Sequence, residues 1–225
     1  LILQYTSPDG EENFPGTLSV SVTYTFSDQN ELALRYQAVC DADTLCNLSN
    51  HSYFNLGGYD SGDILGHRVR LSADRFTETD AESIPTGKIS EVASTPMDFR
   101  QFHPVGARID ADYTQLRQAG GYDHNWILTG AAGKIHPCAE VIDDRSGRRL
   151  ICRTTSPCVQ FYTGNYLGGR PGKGGLPIIR RSGLCLETQF APDAVHHPDW
   201  ASPILRPGEP FNQTTLFQFD TVPKA

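Results

Sequence analysis

Four short segments set hydrogen-bonding and proton-transferring side chains closer together than ordinary strand ends would. In residues 47–58, NLSNHSYFNLGG, a strand's alternation would put Ser49, His51, Tyr53 and Asn55 on one face. A face carrying an imidazole, a phenol and an amide has little reason to be core. Residues 121–126, GYDHNW, follow Gly120, so that Gly120-Gly121 marks a sharp entry, and set Asp123 near an imidazole and an indole. Ionised, Asp123 is an acceptor-only group suited to neutral hydroxyls. In residues 183–189, GLCLETQ, Leu184 and Leu186 share one face while Cys185, Glu187 and Gln189 share the other. A carboxylate in the middle of an apolar strand costs stability unless it is paired or used, and partial burial raises its pKa toward the range of a general base. In residues 158–165, CVQFYTGN, Gln160 and Tyr162 share a face able to bond hydroxyls and cover a ring.

Each segment taken singly also admits a plain structural role. His51 can be an edge residue bonding a neighbouring loop, Asp123 a turn cap, Glu187 an exposed edge-strand carboxylate, and Gln160 and Tyr162 sandwich surface. Other chemistries have less support. His196 and His197 stand near Asp193 and Asp199, but neighbouring histidines on an extended chain point apart, so no metal site is expected there. Residues 168–175, GGRPGKGG, lack the Gly-Lys-Ser/Thr spacing of a phosphate loop and read as a mobile loop. No Gly-x-Ser-x-Gly elbow occurs, which leaves a serine hydrolase without support.

The elements that must position these groups are strands. Leu18, Val20, Val22, Tyr24 and Phe26 alternate with polar residues, and the pattern resumes at Leu32, Leu34 and Tyr36 after Ser27–Asn30, which is a hairpin. Further strands are read at about 44–49, 66–72, 125–129, 135–142, 148–154, 158–163, 183–189 and 214–220, with a turn at 143–147. Helices are confined to short stretches near 104–109 and 112–118. The composition agrees: 21 Gly and 15 Pro with 9 Tyr and 11 Phe in 225 residues favour turns and strands. No linker or repeat divides the chain, so residues 1–225 are expected to form one large antiparallel sandwich domain.

Charge and cysteine usage bound the partners. Lys+Arg 19 against Asp+Glu 26 gives a formal charge of −7 with no basic cluster, which argues against nucleic acid or an anionic membrane as partner. No apolar run reaches the roughly 18 residues of a membrane-spanning helix. Six cysteines without a Cys-x-x-Cys pair read as reduced core thiols of a cytoplasmic protein. The chain opens on Leu1–Tyr5 as a strand already under way, without an initiator Met. The expectation is that a preceding segment is absent, which leaves targeting unreadable. The oligomeric state is not legible in the sequence.

Taken together, residues 47–58, 121–126, 159–167 (VQFYTGNYL) and 183–193 (GLCLETQFAPD) resemble the aldose 1-epimerase, or galactose mutarotase, family. The opening 7–12 (SPDGEE) and the closing 205–210 (LRPGEP) are similar to that family's as well. The blocks keep the family's order over nearly the whole chain. The resemblance implies an all-β fold, the β-supersandwich, with large antiparallel sheets and few short helices. It also implies interconversion of the α and β anomers of a free hexose such as galactose or glucose. It assigns Glu187 as the base at the anomeric hydroxyl, His51 as the acid at the ring oxygen, and Asp123 and Gln160 as holders of sugar hydroxyls. Neither a metal nor an organic cofactor is implied. An Asn-Arg pair and a His-Gly-Gly segment that the family carries upstream are not in this sequence, so the chain corresponds to the C-terminal two-thirds of the family fold. A natural truncation of that kind predicts unpaired strand edges and with them poor stability or oligomerisation. Two other functions stay open: a non-catalytic carbohydrate-binding or regulatory module, and a hexose-phosphate epimerase, for which Arg180-Arg181, just before the Glu187 strand, is the basic pair considered.

Overall fold

Period-two alternation becomes antiparallel pairing throughout the computed structural model, which describes residues 1–223. The larger sheet has eight strands in the spatial order Ile2–Ser7, Leu18–Phe26, Glu31–Cys40, Phe211–Thr221, Arg148–Thr154, His136–Asp143, Arg68–Leu71 and His103–Pro104. The smaller has five: Cys185–Gln189, Cys158–Tyr162, Asp123–Leu128, Ala73–Thr79 and Pro85–Glu91. Leu34, Val69, Leu150 and Phe217 from the first sheet and Phe76, Trp126, Phe161 and Leu186 from the second join one buried apolar cluster. This is the all-β sandwich that the alternation implies. An aromatic nest fills its centre. Tyr122 stacks on Phe161 with ring centroids 5.7 Å apart, and Phe99 meets both rings edge-on.

The turn at 143–147 forms as expected. Asp143 accepts from the Ser146 amide through its side chain and from the Gly147 amide through its carbonyl, and Gly147 takes φ 74°, which a glycine adopts without strain. All six cysteines are free thiols and only Cys40 is less than fully buried. No helix among the described residues is long and apolar enough to cross a membrane.

Several expectations are corrected. The strand read at 44–49 pairs only over Thr44–Leu45, with Ile204–Leu205. Beyond it the Asn47 side chain takes over the ladder's role, donating to the Phe190 carbonyl at 3.0 Å and accepting from the Phe190 amide at 2.9 Å. Strands Ala73–Thr79 and Pro85–Glu91 escaped notice because their sequences, ADRFTET and PTGKISE, carry charges on the solvent side and bury small polar residues such as Thr77. The expected helix near 104–109 is one 3-10 turn, Val105–Ala107, and that near 112–118 is the helix Thr114–Ala119. Residues 168–175 are not simply a loop. Arg170–Pro171 pairs with Pro177–Ile178 around the turn Lys173–Gly175.

Candidate active site

Three adjacent strands of the smaller sheet build the floor of a cleft. Their register sets Glu187 beside Gln160 and Gln160 beside Asn125, and in the next row Cys185 beside Tyr162 and Tyr162 beside Asp123. Alternation sends Leu186, Phe161 and Trp126 to the core, so the polar partners on the same strands must face the other way. The grouping of Cys185, Glu187 and Gln189 on one face is therefore what the pairing produces. The cleft of about 400 Å³ is lined by His51, Tyr53, Asp123, Gln160, Tyr162, Tyr166, Glu187, Gln189 and Pro192.

His51 arrives by a different route from the one its sequence suggests. Residues 46–53 are not a strand, and the single bridge of the segment is between Phe54 and Leu184. Ser49, His51, Tyr53 and Asn55 consequently do not share a strand face. His51 and Tyr53 line the cleft, the Ser49 hydroxyl is buried without a partner, and Asn55 donates to the carbonyls of Gly62 and Ser182. The loop is held at both ends against the strand that carries Glu187. Asn47 ties it to Phe190, and Phe54 exchanges backbone hydrogen bonds of 2.8 and 2.9 Å with Leu184. Those two anchors place the imidazole over the strand, with Nε2 3.8 Å from Glu187 Oε1 and Nδ1 3.3 Å from Cys185 Sγ. Tyr53 and Tyr162 pack around the ring at centroid distances of 5.0 and 6.0 Å.

The electrostatics separate the acidic groups by role. Burial pushes the Glu187 carboxyl up to about 7, with His51 opposing the shift and Asp123 adding to it. Burial also raises Asp123, against the hydrogen bond from Gln160 and the nearby His51, which favour its ionised form. Gln160 Nε2 donates to Asp123 Oδ1 at 2.8 Å, which leaves the second carboxylate oxygen to meet hydroxyls, while the Gln160 amide oxygen accepts from Gln189 Nε2 at 3.5 Å. Burial holds Tyr53 at about 12 and Cys185 higher than an ordinary thiol, so both stay protonated near neutrality.

All four site residues singled out in the sequence, His51, Asp123, Gln160 and Glu187, thus meet in one cleft. Tyr166 and Pro192 were missed. Tyr166 follows the positive-φ Gly164, donates its hydroxyl to the Ala119 carbonyl and is 70% exposed at the rim. An aromatic just after a Gly-Asn turn was the available signal. Arg180 and Arg181 do not line the cleft. Arg180 donates to the carbonyls of Asn165 and Gly120, while Arg181 forms a two-pronged pair with Asp110. His196 and His197 do not point apart as expected of an extended chain. The 3-10 turn Ala194–His196 brings both rings to Asp193, His197 Nε2 at 3.3 Å.

The model of the aldose 1-epimerase family matches residues 1–218. Galactose mutarotases of Mus musculus and Homo sapiens are each 46% identical over 214 residues, 95% of this chain and 60% of their own length. The aldose 1-epimerase of Escherichia coli K12 is 37% identical over 221 residues, 97% of this chain and 63% of its own. The chain therefore spans about 60% of the length of the curated relatives it matches. Among solved structures, a galactose 1-epimerase from Lactobacillus acidophilus superposes with a TM-score of 0.84 at 28% identity, covering 98% of this chain and 62% of its own. An aldose epimerase homologue from C. elegans gives 0.83 at 27%, covering 99% and 66%. With a family model that takes in nearly every residue, and relatives that agree in sequence and in fold, the chain belongs to the aldose 1-epimerase family.

Proposed function

We propose that this chain, as one mutarotase-like sandwich domain, carries the acid–base pair of an enzyme that interconverts the α and β anomers of a free hexose such as galactose or glucose. The observation that carries the reading is the facing of His51 Nε2 and Glu187 Oε1 across 3.8 Å at the floor of a cleft walled by hydroxyl-binding groups. The reacting atoms of an aldose, O1 and O5, are both bonded to C1. An acid and a base that meet at one point are therefore placed for both. Glu187 takes the proton from the O1 hydroxyl as protonated His51 delivers one to O5, the C1–O5 bond breaks, and an open-chain aldehyde results. Rotation about C1–C2 turns the other face of the carbonyl to the O5 hydroxyl. Reclosure returns both protons, His51 now accepting and Glu187 donating. A carboxyl near 7 takes up and gives back a proton at neutral pH with little penalty. Asp123 and Gln160 hold hydroxyls away from C1, with Tyr53 and Tyr162 against the ring faces. The chemistry draws on no metal or organic cofactor.

The charge of −7 speaks for a small sugar rather than nucleic acid or an anionic membrane as partner, and the free thiols suit a reducing, cytoplasmic setting. A phosphorylated hexose is disfavoured. Among the described residues lining the cleft none is Lys or Arg, and Arg180 and Arg181 are committed elsewhere. Polarimetry of freshly dissolved α-D-galactose and α-D-glucose tests the proposal, on the 225-residue chain and on a form extended upstream. Faster loss of rotation with either form, abolished by Glu187→Gln, is expected. Sugar binding by both forms without acceleration would leave a binding module instead.

A further inference from the structure

We propose that His51, Cys185 and Glu187 form a site for a borderline divalent cation of the Zn²⁺ class, and that its occupancy switches the cleft off. One donor atom from each of the three lies within 4.8 Å of the others, the one such trio of potential ligands found among the described residues. The imidazole lies between the two partners, with Nδ1 3.3 Å from Cys185 Sγ and Nε2 3.8 Å from Glu187 Oε1, and one of its nitrogens serves as the ligand. A tetrahedral Zn²⁺ with bonds of about 2.0–2.3 Å holds its ligand atoms about 3.3–3.6 Å apart, so the trio has to contract by roughly an ångström. The His51 side chain is 52% exposed, on the open side of the cleft. Cys185 and Glu187 are two residues apart on one strand, on one face, held by pairing to Cys158–Tyr162. The strand therefore supplies two ligands already aligned and the loop brings the third.

The donor set selects the metal. Sulfur, nitrogen and one carboxylate oxygen suit Zn²⁺ and its neighbours, whereas Mg²⁺ and Ca²⁺ take oxygen cages. Three protein ligands leave a fourth position, which faces the open cleft and takes water. Binding is a proton exchange. The Cys185 S–H bond breaks, an S–Zn bond forms, and the proton leaves to solvent. Cys185 has no part in the anomerisation proposed above, so its place beside the pair is not accounted for by that chemistry. The inhibitory half of the inference rests on that acid–base reading, because the metal occupies the lone pairs that would move protons. The binding half does not.

The test uses the full chain with Zn²⁺ and Co²⁺ as probes. Calorimetric titration with Zn²⁺ in two buffers of different ionisation enthalpy is expected to show one site and a net release of protons, that of the Cys185 thiol among them. Co²⁺ in its place is expected to give a thiolate-to-cobalt charge-transfer band. Cys185→Ser should abolish the band and weaken Zn²⁺ binding at least about tenfold. His51→Asn, at a half-exposed side chain, should weaken it comparably and serves as the test if the buried serine variant does not fold. No heat and no band with the parent chain, or unchanged Zn²⁺ affinity in the folded variants, overturns the site. Both signals are read without turnover. A Cys185-dependent band with anomerisation undiminished by Zn²⁺ would keep the metal site, refute the switch, and remove His51 and Glu187 as the acid–base pair. Anomerisation slowed by Zn²⁺ in the parent and spared in Cys185→Ser supports the whole inference.

Discussion

Replacing Glu187 by Gln keeps the shape of a side chain that is only 16% exposed and removes its charge. Burial carries this carboxyl from 4.5 to about 7. At about 1.4 kcal/mol for each tenfold in proton affinity, that displacement is worth about 3 kcal/mol. The native state thus holds the proton more tightly than the unfolded chain does. Stability from this group is full below about 4.5 and is lost as pH rises through about 7. The Gln variant has no charge to bury, so it should unfold at higher urea than the parent at pH 8, by up to about 3 kcal/mol, and nearly match it close to pH 4.5. The same substitution should lower the anomerisation rate about 10²- to 10⁴-fold. Urea unfolding at the two pH values, with EDTA present, and polarimetry on the same preparations read both effects. The reasoning is refuted if activity falls with no gain in stability at pH 8, since Glu187 would then not be a desolvated carboxylate. Retained activity would refute its role as base.

Three further outcomes are expected. Asp123→Asn keeps the contact with Gln160 but loses a charged acceptor for sugar hydroxyls, so steady-state polarimetry should show KM rising about 10- to 100-fold with kcat changed much less. Asn47→Ala removes two hydrogen bonds to Phe190 and one anchor of the His51 loop. Denaturant unfolding should find a loss of about 1–3 kcal/mol, and kcat should fall as the imidazole loses its position over Glu187. Phe161→Ala empties a fully buried site against Tyr122 and Phe99 and should cost about 3–5 kcal/mol by the same measurement.

Much of the fold was legible because burial on a sheet writes itself as period two. The hairpin 18–36, the turn at 143–147 and the polar face of 185–189 needed only local rules. Strands 73–79 and 85–91 were not legible. They pair with each other as a hairpin whose alternation is masked by charged and small polar residues, only 73–79 has a sequence-distant partner in 123–128, and residues such as Thr77 become buried only when the sheet closes around them.

The candidate site divides along the same line. Glu187 and Gln160 lie on strands read from the sequence, so alternation alone determined which way each side chain points, whereas Asp123 lies two residues before the strand read at 125–129 and gains its facing because that strand begins at Asp123. The sequence by itself therefore determined the chemical inventory and the facing of Glu187 and Gln160. His51 was recognised by type but for the wrong local reason, because an Asn side chain and one backbone bridge, not a strand, hold its loop. Its 3.8 Å approach to Glu187, the thiol of Cys185 beneath it and the commitment of Arg181 to Asp110 were decided by tertiary structure only. These contacts join residues 71 to 136 positions apart in the chain. Nothing in a local pattern encodes such a distance, which is set when two sheets pack on one core and clamp the loops between them.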